Sequence, residues 1–166
     1  MPRRPPLRRA LLAAAGLLAA GACTSSPAPR PAATGPVAVP VPSASAPLVV
    51  SACKNLLGSL PQQLDKGVER RPVTGDPART AAWGDPAITL QCGVALPDQT
   101  ATPLVVDDLA FVTTQRAGRV TYTTQGRAVN VSLVVPTPYE NQALLVLPLV
   151  KPIEKALPLP APAPGA

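Results

Sequence analysis

Three cysteines, nine acidic residues and no histidine define the chemistry open to this 166-residue chain. Histidine is the commonest general base near neutral pH and the commonest transition-metal ligand. Without it, Ser-His-Asp and Cys-His catalysis and His-bearing zinc sites are excluded. The residues that could still act fall into four groups. Cys53 and Cys92 could work as redox thiols or bind a metal. However, there is no C-x-x-C pair, and two cysteines without histidine make a poor metal site. In an exported protein the expected product of the two is a structural disulfide.

The string Ala81-Ala82-Trp83-Gly84-Asp85-Pro86 contains the only tryptophan. Trp83 reads either as a ligand-facing aromatic with Asp85 as a nearby acceptor, or as a core plug below a turn that Asp-Pro favours. The pair Asp107-Asp108 could supply carboxylates for acid/base work or for a hard cation. Adjacent side chains on a strand point to opposite faces, so a solvated turn or edge is the simpler expectation. Arg116, Arg119 and Arg127 would gather around turns at Gly118 and Gly126 and meet an anionic polymer or lipid headgroup, or they are ordinary exposed loop charges. Asn130-Val131-Ser132 matches a glycosylation acceptor, but it lies inside a strong strand pattern and carries no weight.

The elements that must hold these groups begin after a distinctive leader. Residues 1–9 are basic, 10–20 (ALLAAAGLLAA) are apolar, and Ala20-Gly21-Ala22-Cys23 follows. That order is a secretion signal, expected over 1–22. Eleven apolar residues reach about 17 Å as a helix, short of a hydrocarbon core of about 30 Å, so a permanent membrane span is not expected. The junction reads two ways: a cleavage site that releases a soluble protein, or a lipobox in which Cys23 is acylated and becomes the N-terminus. Three cysteines favour the second, because acylation of Cys23 leaves Cys53 and Cys92 as a pair. The paired arginines leave the Sec and twin-arginine export routes both open.

The net charge of +6 is largely a property of this leader. Arg3, Arg4, Arg8 and Arg9 precede Ala10, and from Cys23 onward 11 basic residues face 9 acids. With so small an excess and four aromatic residues in all (Trp83, Phe111, Tyr122, Tyr139), nucleic-acid binding is not expected.

Residues 23–47 are the candidate lipidated cysteine and a Pro/Ala-rich tether, extended and unable to bury a core. Residues 48–157 are expected to form one small domain, and 158–166 a disordered tail. Ser51 would cap a helix carrying Cys53, Leu56, Leu57 and Leu60 on one face and stopped by Pro61. Residues 65–87 read as irregular, with a brief extended piece at 68–73. Strands are expected at 88–92, 104–114, 120–124 and 128–135, where Val129, Val131, Leu133 and Val135 share one face. The leucines of 139–157 point to a helix that Pro148 and Pro152 kink or split. The sum is an α+β domain, a mostly antiparallel sheet packed against an N-terminal and a C-terminal helix.

These features together resemble an actinobacterial envelope family, the domain of unknown function 3515 family. The likeness rests on the lipobox at Cys23, the Pro/Ala linker, Cys53 with Leu56 and Leu57, Ala81–Pro86, Ile88–Gly93, and Thr124–Arg127 running into Val129–Val135. The resemblance implies an envelope location and carries no assigned activity. The resulting expectation is an exported lipoprotein held at the outer face of the cytoplasmic membrane by lipid on Cys23. It would act as a non-enzymatic binding or assembly module on an envelope protein or cell-wall polymer, without a cofactor or metal. The competing reading is an envelope hydrolase or transferase using carboxylates near Asp85 or Asp107/Asp108. Oligomeric state is not readable from the sequence.

Overall fold

Alternation of β-branched and polar residues, broken at Gly118 and Gly126, folds as antiparallel sheet between residues 88 and 136. The computed structural model describes residues 35–98 and 103–160, so the leader, Cys23 and the start of the tether lie outside the described residues. In chain order the elements are β1 (Val37–Ala38), α1 (Pro47–Ser59), β2 (Arg70–Arg71), β3 (Val73–Thr74), β4 (Thr80–Trp83), β5 (Ile88–Val94), β6 (Leu104–Val106), β7 (Leu109–Arg116), β8 (Arg119–Gln125), β9 (Asn130–Pro136), a 3₁₀ helix (Gln142–Val146) and α2 (Leu147–Ala156). Seven strands form one sheet in the order β2-β4-β5-β9-β8-β7-β6, with every neighbouring pair antiparallel. This is the expected fold class.

One face of the sheet carries the core. Ile88, Leu90 and Cys92 of β5, Val131, Leu133 and Val135 of β9, Tyr122 of β8 and Phe111 of β7 point to it. They meet Cys53, Leu56 and Leu57 of α1 and Leu149, Val150 and Ile153 of α2. Each large apolar side chain removed from water here stabilises the fold by about 1.5–3 kcal/mol. Cys53 and Cys92 form a disulfide that joins α1 to β5 across 39 residues, with Cα atoms 5.6 Å apart and neither side chain exposed. Cross-linking a loop of that length stabilises by about 4 kcal/mol in the chain-entropy account.

Several elements differ from expectation for physical reasons. α1 begins at Pro47, whose fixed φ and missing N–H suit a first helical position. Ser51 lies inside the helix and donates back to Leu48 O at 3.1 Å. β4 falls in a stretch that reads as irregular, because all four of its residues are buried and no polar–apolar alternation marks it. The single strand expected at 104–114 is a hairpin, with Asp107-Asp108 as its turn and Asp107 at φ 51°. At the C-terminus the two prolines are accommodated by splitting the segment. The 3₁₀ helix comes first, Pro148 opens α2, and Pro152 sits inside it.

Residues 35–46, expected as the end of an extended tether, lie on the domain. β1 pairs in parallel with β3, Val37 N–H donates to Pro72 O at 2.8 Å, and Val39 is 4% exposed. Gln91 Nε2 donates to Pro40 O at 2.6 Å, and Arg71 Nη2 donates to Gly35 O at 2.8 Å. Residues 35–46 therefore form a strap over the sheet. At the other end, Pro158 O accepts from Ala128 N–H at 3.0 Å, and residues 161–166 lie outside the described residues.

Candidate binding site

The turn between β4 and β5 is built around a buried tryptophan. Trp83 is 0% exposed, its Nε1–H donates to Pro61 O at 3.1 Å, and the Arg70 guanidinium lies 5.5 Å from its ring centroid. The ring thus fastens β4 to the chain leaving α1 and presents no face to a ligand. Of the two readings of Trp83, the core plug is the one observed.

The residues after it do reach the surface. Gly84 has φ +65°, and a Cβ there would collide with Tyr139 Oη, so no larger residue fits. Its carbonyl accepts from Arg71 Nη1 at 2.9 Å. The Asp85-Pro86 peptide is cis, and Tyr139 O–H donates to Pro86 O at 2.8 Å. Burial and then the Asp85 charge push the Tyr139 hydroxyl above its ordinary pKa, while a hydrogen bond from the Asp85 backbone and the charge of Arg71 pull the other way. Asp85 itself is exposed at the rim.

Beside this turn lies a cavity of about 400 Å³ between strap and sheet. Pro40 of the strap forms one wall. Pro86, Thr89, Val134 and Pro136 form the floor, and Arg119 stands at the edge. Arg116 faces Arg119 directly across the β7–β8 hairpin, whose two turn residues, Ala117 and Gly118, both have positive φ. Like charges placed opposite each other repel, which favours an anionic partner at this edge. Thr137 braces the turn from beneath, donating from N–H and Oγ1 to Gly118 O.

The structure brings together some of the expected site residues and separates others. Asp85, Arg116 and Arg119 share one end of the sheet. Arg127 does not join them: it lies in the β8–β9 turn at the opposite end of β8, where Nη1 donates to Leu157 O at 3.3 Å and closes the end of α2. Asp107 and Asp108 lie at that far end too, beside the start of β7. The six residues of β8 between the two levels correspond to about 20 Å, so these carboxylates share no cleft with Asp85. Their charges, after the larger effects of Glu154, raise the Lys151 pKa. The strap wall and Tyr139 were not visible as site residues in the sequence. The glycine next to Trp83 was the signal for the close approach of Tyr139.

The sequence profile of the family described as Protein of unknown function (DUF3515) matches residues 7–161. The chain belongs to that family. Its match runs from residue 7 through the strap and the whole sheet-and-helix domain. Among curated proteins and among solved structures, nothing matches the chain. Membership of DUF3515 therefore supplies a lineage and no activity, and the functional reading rests on the geometry above.

Proposed function

We propose that this protein is an exported lipoprotein, acylated at Cys23, whose domain serves as a non-enzymatic binding or assembly module outside the cytoplasmic membrane. The observation that carries the reading is the Cys53–Cys92 disulfide. A buried disulfide belongs to chains that fold in an oxidising compartment. With both of those thiols used, Cys23 is the cysteine left for a lipid. The basic, apolar and small-residue leader supports the same route. The cavity at Pro86 and Arg119 is the surface offered to an envelope protein or an anionic cell-wall polymer.

Fractionation with intact-mass measurement tests this directly. The expected species is membrane-bound, begins at Cys23, carries a diacylglyceryl mass on that residue, and resists alkylation at Cys53 and Cys92 until reduced. Cys23→Ser should release the chain from the membrane. A soluble species with an unmodified Cys23 would overturn the proposal.

A further inference from the structure

Buried arginines are almost always paired, because an uncompensated charge in a dry interior is costly. Arg79 is an exception. It is 7% exposed, Nη2 donates to Cys92 O at 3.3 Å, and Nε is buried with no hydrogen-bond partner. All nine acidic side chains of the protein lie within the described residues. Among the described residues Arg79 makes no ion pair, and its side-chain hydrogen bond is the one to Cys92 O.

The surroundings of Arg79 increase its need for an anion. A Cβ at Gly93 would lie 2.7 Å from Arg79 Nη2 and 2.7 Å from Val49 Cγ1, which sets the guanidinium against the first turn of α1. That turn has no side-chain cap at Ala46 and no acidic residue. Val50 N–H donates to Ala46 O, and the N–H groups of Leu48 and Val49 ahead of it have no intrahelical acceptor. The positive end of a 13-residue helix and a buried guanidinium thus stand side by side, with no acidic side chain in the helix's first turn. Gly93, the bulge residue of β5 at φ +89°, also lines an open cavity of about 460 Å³ whose opposite wall is Pro42, Ser43 and Ala44, the chain entering α1.

We infer that this corner binds a phosphate-type oxyanion, held between Arg79 and the amides that open α1. Donors that arrive along a helix axis and from a guanidinium at its side match a tetrahedral oxyanion better than a planar carboxylate. The phosphate comes either free or as the diester of a lipid headgroup. The inference does not depend on acylation of Cys23.

Thermal unfolding of the purified, oxidised chain in inorganic phosphate and in chloride at equal ionic strength provides the test. The midpoint should rise in phosphate only, by at least about 5 °C at 100 times the dissociation constant. Arg79→Met should abolish the shift. Ala46→Asp, which supplies an internal carboxylate at the cap, should raise the midpoint in chloride and also abolish the shift. It decides the matter if Arg79→Met does not fold. Sedimentation with phosphatidylglycerol and phosphatidylcholine vesicles separates the sources. Arg79-dependent binding to the anionic vesicles that free phosphate displaces assigns the headgroup. A phosphate shift without vesicle binding assigns the free anion. Equal midpoints in the two salts with no Arg79-dependent vesicle binding, or a phosphate shift that survives both substitutions, overturn the inference.

Discussion

The two ends of α1 each meet an arginine from elsewhere in the chain, and the two arrangements are electrostatic opposites. At the C-terminal end Arg70 donates Nη1 to Leu60 O and Nη2 to Leu57 O, both at 3.4 Å, while its guanidinium lies over Trp83. Cation, negative helix end and aromatic face all attract one another there. Burial lowers the Arg70 pKa. At the N-terminal end Arg79 faces the positive pole with no acid in the first turn and no cap. The lesson is that one residue type, placed at opposite poles of a helix, serves as a structural brace in one case and leaves an unmet need for charge in the other.

The largest way to break the braced end is Trp83→Ala. It empties a fully buried site and frees Pro61 O, and should cost about 3–5 kcal/mol in denaturant unfolding. Removing the covalent tie between α1 and β5 comes next. Cys53→Ala with Cys92→Ala should cost about 4 kcal/mol, and reductant should have no further effect on that double variant. Substituting the two arginines sharpens the contrast most directly. Arg70→Met should destabilise by about 1 kcal/mol through the lost carbonyl contacts. Arg79→Met, measured in chloride, should be neutral or stabilising by up to about 1 kcal/mol, because it replaces an uncompensated buried charge with an apolar chain. Equal losses from both substitutions would remove the distinction.

How much of this was legible in the chain depends on where the burying surface comes from. β5 and β9 were readable because one face of each meets the helices and the other is more polar, which leaves a period of two in Ile88-Thr89-Leu90-Gln91-Cys92 and Val129–Val135. β4 was not, because its residues are buried on both faces and Thr-Ala-Ala-Trp carries no such signal. The gathering of Arg116, Arg119 and Arg127 fails on plain geometry, since turns that bracket one strand lie at its opposite ends. The pairing of Cys53 with Cys92 followed from counting three cysteines and setting Cys23 aside as the expected acylation site, and the disulfide is present. Nothing in the composition reveals that Arg79, among the basic residues described, is the one that is buried. That depends on the bulge at Gly93 and the entry path of α1, both of which are products of tertiary structure.

The smallest expected effect concerns the braced side in alkaline solution. Tyr139 bonds to Pro86 O and sits over Gly84, one residue beyond Trp83, so it locks the turn that positions the tryptophan. Its hydroxyl titrates above the ordinary tyrosine value in the folded protein, with burial the first cause and Asp85 the second. A folded-state pKa that is raised means the unfolded chain releases its proton first as pH increases. The contribution of this group is therefore fully present below the unfolded-state value near 10 and is lost as pH rises through the folded value. Tyr139→Phe should give a chain slightly less stable at pH 7, having lost the bond to Pro86 O, with a shallower decline in stability above pH 10. Asp85→Asn should lower the Tyr139 pKa by removing the second cause, and spectrophotometric titration of the phenol near 295 nm would register it. If neither substitution changes the alkaline limb, Tyr139 and Asp85 are not coupled. Ionisation of the phenol would then leave the turn held by its other contacts, Gly84 N–H to Glu69 O and Arg71 Nη1 to Gly84 O among them.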